Sequence, residues 1–126
     1  MLSDYVDTME GAIRSCGVVA TYSLNTVQLS PNTGYVEGEI AFIDGSRLVF
    51  FEFLRQGATG LDRVKYRHHF MDADNQLVFR YDNAPHHAEL PGFPCHKHLP
   101  DGVIDCTAPH CAGILTEIEG RVLRIT

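Results

Sequence analysis

Between residues 18 and 82 the chain is divided into five β-rich segments by connections too short to hold a helix. Residues 18–29 are rich in β-branched side chains and read as a strand. Ser-Pro-Asn-Thr-Gly at 30–34 is a turn, since proline presets φ and glycine accepts positive φ. A second strand spans 35–43, the two residues Asp44-Gly45 signal a hairpin, and a third strand covers 46–55. Residues 56–62, with two glycines, read as a loop, 64–71 as a fourth strand, 72–75 as a turn and 76–82 as a fifth strand. Parallel neighbours need a crossover of about a dozen residues or more, so these segments predict an antiparallel meander.

Helical patterns flank the meander. Ser3 can cap a helix over 3–15, with Asp4 and Asp7 favourably placed in its first turns. Leu2, Val6, Met9 and Ile13 recur at helical spacing, and Gly17 is a stop. Near the other end Pro109 can open a helix whose apolar side is Ile114, Leu115 and Ile118, running to Gly120. Residues 121–126 suit either a continued helix or a short strand. The architecture expected is α+β in a single domain, 1–126. It comprises an N-terminal helix, a five-stranded antiparallel meander sheet, a long His/Pro-rich loop and a short C-terminal helix. One sheet face should be covered by helix and the other open.

Composition narrows the class. The 126 residues are 44% apolar and 21% charged, which suffices for one modest core. No apolar run approaches the roughly 20 residues of a membrane helix. The first residues have neither the basic start nor the apolar stretch of a signal peptide, so a cytoplasmic location is expected. A formal charge of −6 argues against broad affinity for nucleic acid but leaves room for a small basic surface. In a reducing compartment the four cysteines, Cys16, Cys95, Cys106 and Cys111, are expected to stay unbridged, and no Cys-x-x-Cys signals a zinc ribbon. Cys16, beside Gly17, reads as a small buried apolar group.

Alternation along the fourth and fifth strands assigns faces. Val64, Tyr66, His68 and Phe70 share one side, and Lys65, Arg67, His69 and Met71 the other. A tight hairpin then brings Lys65, Arg67, His69, Arg80 and Asp82 onto a common face, a local basic patch on an acidic protein. The same pattern is compatible with a solvated face laced by ion pairs such as Arg80–Asp82. Phe50, Phe51 and Phe53 fall on both faces of a central strand, as core or as subunit contact. Glu52 matters chemically only if it faces the basic patch, where it would pair with Arg67 or act as a base.

Residues 79–102 hold four of the seven histidines and four of the six prolines. Prolines restrict the backbone and remove donors, so the chain that leaves Asp82 reads as a stiff loop of about 26 residues, a length more typical of functional segments than of simple connections. Three roles compete for it. The first is metal binding, since His86, His87, Cys95, His96, His98, Cys106, His110 and Cys111 are zinc-type donors, though their separations match no zinc motif. The second is metal-free ribonuclease chemistry. That needs a base for the 2′-hydroxyl, an acid for the leaving oxygen and cations for the phosphate. His69, His86, His87, His96 and His98 would carry protons, and Lys65, Arg67, Arg80 and Lys97 would supply charge. The third is structural, with imidazoles satisfying backbone groups in an irregular loop.

The string Phe79-Arg80-Tyr81-Asp82-Asn83-Ala84-Pro85-His86-His87 resembles the TumE family of toxin–antitoxin toxins. So does Phe93-Pro94-x-His96-Lys97-His98-Leu99-Pro100-Asp101-Gly102. Val64-Lys65-Tyr66-x-x-His69 and Asp72-Ala73-Asp74 extend the resemblance upstream. Cys95 stands where the family commonly has histidine, and residues 106–126 lack the family's usual acidic helix. The resemblance implies a small prokaryotic cytoplasmic toxin encoded beside a helix-turn-helix antitoxin. Its characteristic polar positions here are Lys65, Tyr66, His69, Arg80, Tyr81, Asp82, Asn83, His86, His87, His96 and His98. The expectation is a type II toxin that cleaves RNA without a metal. His69 and one or two of His86, His87, His96 and His98 would transfer protons, Lys65 and Arg80 would hold the phosphate, and Asp82 would orient a histidine or Arg80. Lys65, Tyr66, Arg67, Asn83 and Lys97 would bind substrate. The rival is a non-enzymatic binding module or homodimer whose loop holds structural zinc.

Overall fold

A computed structural model describes every residue except 1, 86–88, 90, 91, 125 and 126. The element order is α1 Leu2–Ser15, β1 Val19–Ser30, β2 Thr33–Phe42, β3 Arg47–Gly57, β4 Gly60–Met71, β5 Leu77–Asp82, β6 His96–Leu99, β7 Gly102–Asp105 and α2 Cys111–Val122. The seven strands form one sheet in sequence order, every neighbouring pair antiparallel. The α+β class and the meander are as expected, but seven strands replace five. The second half of the expected loop is a hairpin, β6–β7, added to the edge of β5. Its proline pattern misleads because Pro94 precedes the hairpin and Pro100 lies in its turn, so neither removes a ladder donor.

Two connections differ from the sequence reading, and the 72–75 turn is as expected. Residues 56–62 are not a loop, since pairing continues through Gln56↔Leu61 to Gly57↔Gly60 and leaves only Ala58 and Thr59 outside the ladder. The 42–46 hairpin has a three-residue loop, closed by Phe42 N–H to the Ser46 carbonyl at 2.9 Å and by Gly45 N–H to the Phe42 carbonyl at 3.0 Å. Gly45 takes φ +86, the left-handed position this loop requires. The β4–β5 hairpin repeats the design with Asn75 at φ 63 and the Asp72 Oδ1 accepting from the Asp74 and Gln76 amides. At the C-terminus α2 ends at Val122 with Leu123 as its cap, so a helix is what continues past Gly120.

Alternation sets the core on one face. Val36, Ile40, Phe42, Leu48, Phe50, Leu54, Phe70 and Phe79 are buried beneath α1 (Leu2, Met9, Ile13) and α2 (Ile114, Leu115, Ile118). Phe51 lies on the other face with its ring against Tyr35 at 5.4 Å. Two polar residues interrupt the core, Glu52 and His68, both fully buried. Glu52 points towards the helices, not towards the basic patch, and so does not pair with Arg67. Its carboxylate accepts from the Tyr5 hydroxyl, meets His68 Nε2 at 2.7 Å and lies 3.4 Å from Arg63 Nη1. Burial pushes the Glu52 carboxyl up, but the bonds from His68 and Tyr5 and the charge of Arg63 reverse this and hold it below the ordinary carboxylate range. Arg63 also donates to the Pro109 carbonyl at 2.7 Å, tying β4 to the start of α2.

The expectation of four unbridged cysteines fails at Cys95 and Cys106, which form a disulfide with Cα atoms 5.6 Å apart. The physical reason is register. His96 faces Asp105 in the β6–β7 ladder, and one further step outward places Cys95 against Cys106. Cys16 and Cys111 remain thiols, and burial pushes Cys111 up to about 12, with Glu52 and Cys16 adding repulsion.

Two stability outcomes follow. Glu52→Leu leaves Arg63 and His68 without their shared acceptor and should cost about 3–5 kcal/mol in urea unfolding. A loss under 1 kcal/mol would mean the cluster is dispensable. Replacing Cys95 and Cys106 by serine reopens a short loop and should cost about 2–3 kcal/mol, read from the shift in unfolding midpoint against the oxidised protein.

Candidate functional site

The open face of β4, β5 and β6 carries two rows of side chains at consecutive register positions. In one, Arg67 faces Asp82, and Asp82 faces His96. In the next, His69 faces Arg80, and Arg80 faces His98. These residues lie 31 positions apart in sequence at the extremes, and only the ladder assembles them. Neighbouring strands are about 4.8 Å apart, so the two imidazoles at the ends of the second row flank Arg80 across roughly 10 Å of sheet.

Asp82 organises the group. It is 5% exposed, although by alternation it belongs to the open face. Its Oδ1 accepts from the Ala84 amide at 3.2 Å and lies 3.4 Å from His96 Nδ1. Its Oδ2 accepts from Arg80 Nε at 3.1 Å and meets His98 Nε2 at 3.2 Å. Burial pushes this carboxyl up, but the Ala84 amide, His96, His98 and Arg80 outweigh burial and hold it below the ordinary range. It is therefore ionised near neutrality and orients three cationic or hydrogen-bonding partners. His96 is fully buried, with the Phe93 ring 6.5 Å away by centroid and the His98 ring at 6.1 Å. His98 and Arg80 are partly exposed, with side chains 26% and 38% accessible. These two can reach a ligand, whereas His96 acts through Asp82.

His69 is set differently. Burial pushes its ring below the ordinary imidazole value of 6.5, and Arg80 and Arg67 add repulsion. Its Nδ1 is buried without a partner among the described residues. The ring is thus neutral at pH 7, the form that accepts a proton. The sign for stability follows. As pH falls through 6.5 the unfolded chain takes up this proton first, so acid destabilises the fold through His69, and through Asp82 at lower pH.

Other expected residues fall elsewhere. Lys65 and Arg67 are exposed on the open face, as alternation requires. Lys97 lies on the opposite face, where its Nζ meets Glu117 Oε2 at 2.7 Å above the Phe79 and Tyr81 rings. Tyr66 is also on that face, buried, beneath the Arg63 guanidinium at 4.5 Å. Asn83 mimics a strand residue, its Oδ1 accepting from the Tyr66 amide at 2.9 Å and its Nδ2 donating to the Val64 carbonyl at 3.1 Å. His86 and His87 lie outside the described residues.

The donor set for a metal is smaller than the sequence offered. Cys95 and Cys106 are spent in the disulfide, Cys111 is held as a buried thiol, and His110, the N-cap residue of α2, makes no side-chain capping bond and lies outside the cluster in which donor atoms converge. Among the described residues, donor atoms converge at Asp82, His96 and His98, within 4.8 Å of one another. Two imidazoles and a carboxylate suit a divalent transition metal, but Arg80 on the same carboxylate opposes a second cation there. A zinc site using Cys95 is excluded by the disulfide.

A profile of known protein families described as Toxin TumE matches residues 9–122, most of the chain. No curated protein and no solved structure matches. No helix among the described residues is long and apolar enough to cross a membrane.

The electrostatics of the row can be read directly. In an NMR titration the His69 midpoint should fall below 6.5, and Arg67→Ala should raise it towards that value. A midpoint at or above 6.5 in the unmodified protein would contradict the assignment of His69 as the neutral ring.

Proposed function

The chain belongs to the TumE toxin family, and we propose that it is the toxin of a type II toxin–antitoxin pair and a metal-independent endoribonuclease of the cytoplasm. A toxin family implies an antitoxin partner. In this reading that partner is a helix-turn-helix protein. The observation that supports cleavage is the row His69–Arg80–His98, a neutral imidazole, a guanidinium and a carboxylate-bound imidazole in register on three adjacent strands.

In-line attack on a phosphodiester needs a base and an acid on opposite sides of phosphorus. His69 takes the proton of the ribose 2′-hydroxyl as that oxygen bonds to phosphorus. Arg80, with exposed Arg67 beside it, holds the non-bridging oxygens and stabilises the charge that grows there. The bond to the 5′-oxygen breaks, and His98, held by Asp82, gives that oxygen its proton. The products are a 2′,3′-cyclic phosphate and a free 5′-hydroxyl. His96 positions Asp82 from below. His86 and His87 follow Asp82 by four and five residues in sequence and are further proton carriers in this reading.

The purified protein should cut RNA in the presence of EDTA, and a 2′-deoxy substitution at the scissile nucleotide should abolish the cut. His69→Ala and His98→Ala should each lower the rate roughly 100- to 10,000-fold. Expression of the wild type, and not of these variants, should arrest growth. Intact RNA with the wild-type protein, or unchanged cleavage in both variants, would refute the mechanism. Activity that vanishes in EDTA and returns with a divalent ion would instead favour a metal at Asp82, His96 and His98.

A further inference from the structure

We propose that the cleft between Arg63, Tyr66 and the disulfide-closed segment around Phe93 is a binding pocket for one RNA base, with guanine the best fit. The proposal rests on the ribonuclease reading and names the part of the substrate that the His69–Arg80–His98 row does not touch.

The cleft has a volume of about 530 Å³ and is walled by Arg63, Tyr66, Phe93, Pro94, Cys95 and Cys106. That size is within the range of small-ligand pockets. It lies one register step beyond the Arg67–Asp82–His96 row, at the level where Tyr66 binds Asn83. Phe93 links the two places, since its ring both lines the cleft and packs edge-on to His96. Since Tyr66 and Arg63 stand on the helix side, an RNA strand with its phosphate on Arg80 brings a neighbouring base here by passing Phe93 at the end of the sheet.

Three features suit a base. Phe93 is an aromatic ring left 43% exposed on a segment fixed on both sides, which is a stacking platform. Its rigidity comes from the disulfide and from Gly92, where a Cβ would lie 2.2 Å from the Cys106 carbonyl oxygen, so the two stretches touch backbone to backbone. Second, the Tyr66 hydroxyl is buried and has no hydrogen-bond partner among the described residues, although the side chain is only 4% exposed. Buried hydroxyls are nearly always paired, and this one sits on a residue of the cleft wall. Third, among the described residues Arg63 donates through Nη1, to Glu52 and to the Pro109 carbonyl, so its other guanidinium N–H groups can serve a ligand. A hydroxyl and a guanidinium together present donors to an acceptor edge, and guanine O6 and N7 form the base edge best matched to arginine.

The test is NMR titration of the oxidised protein with the four ribonucleoside monophosphates. GMP should shift the Tyr66 and Phe93 signals and the amides of Gly92, Phe93, Cys95 and 106–108 at millimolar concentration. Phe93→Ala and Tyr66→Phe should each weaken it about tenfold. Tyr66→Phe should leave the unfolding midpoint unchanged or raised, because it removes an unpaired hydroxyl. No shift from any nucleotide, or shifts confined to the Arg80 face, would overturn the pocket while leaving RNA cleavage standing. GMP binding at Phe93 in a protein that cuts no RNA would overturn the nuclease and leave the pocket. A fall in midpoint for Tyr66→Phe would show that the hydroxyl has a structural partner and would also overturn the proposal.

Discussion

The Asp82 carboxylate is the junction on which this site depends. It ends β5, accepts the Ala84 amide as the chain leaves the sheet, and gathers Arg80, His96 and His98 onto two oxygens. A buried carboxylate is tolerable only when such donors surround it. Here the donors come from the same strand, the following loop and the next strand. The charge that makes burial costly is therefore also what joins β6 to β5 in one register. Without it, the exposed histidine of β6 would have no fixed position relative to Arg80.

A second buried carboxylate, Glu52, plays the corresponding part on the helix side. Tyr5 from α1, His68 and Arg63 from β4, and through Arg63 the Pro109 carbonyl, all converge on it. It links the sheet to both ends of the helical layer. The two clusters lie on opposite faces and do different work. Glu52 is sealed in the core and its partners hold elements together, whereas Asp82 borders partly exposed groups that can meet a substrate. Arg63 is the exception, reaching from the Glu52 cluster to the wall of the cleft at the sheet's end.

Short connections and β-branched segments made the first five strands and their antiparallel order legible, and period-two alternation put Lys65, Arg67, His69 and Arg80 on one face. The same logic failed where proline density was read as loop. His96-Lys97-His98-Leu99 has little β propensity and is a strand because β5 offers it a free edge, not because of its own preference. The disulfide was invisible for the same reason: Cys95 and Cys106 are neighbours only in the register of that hairpin. Glu52 was placed on the wrong face in the one scenario that gave it chemistry, because a lone charge in an apolar strand does not announce a buried partner.

Local physics in the chain determined a great deal: the helices at either end, the meander from 18 to 82, the open basic face, and the identity of His69, Arg80, Asp82 and His98 as the residues to watch. Tertiary structure alone decided that these four lie together. Strand pairing is a contact between distant residues, and a one-residue shift in β6 would have sent His96 and His98 to the helix side and Lys97 to the open face. Residue types and spacing cannot fix that shift. The Asp82 carboxylate fixes it against β5, and the Cys95–Cys106 bridge holds β6 to β7, through contacts that exist only once the sheet has formed.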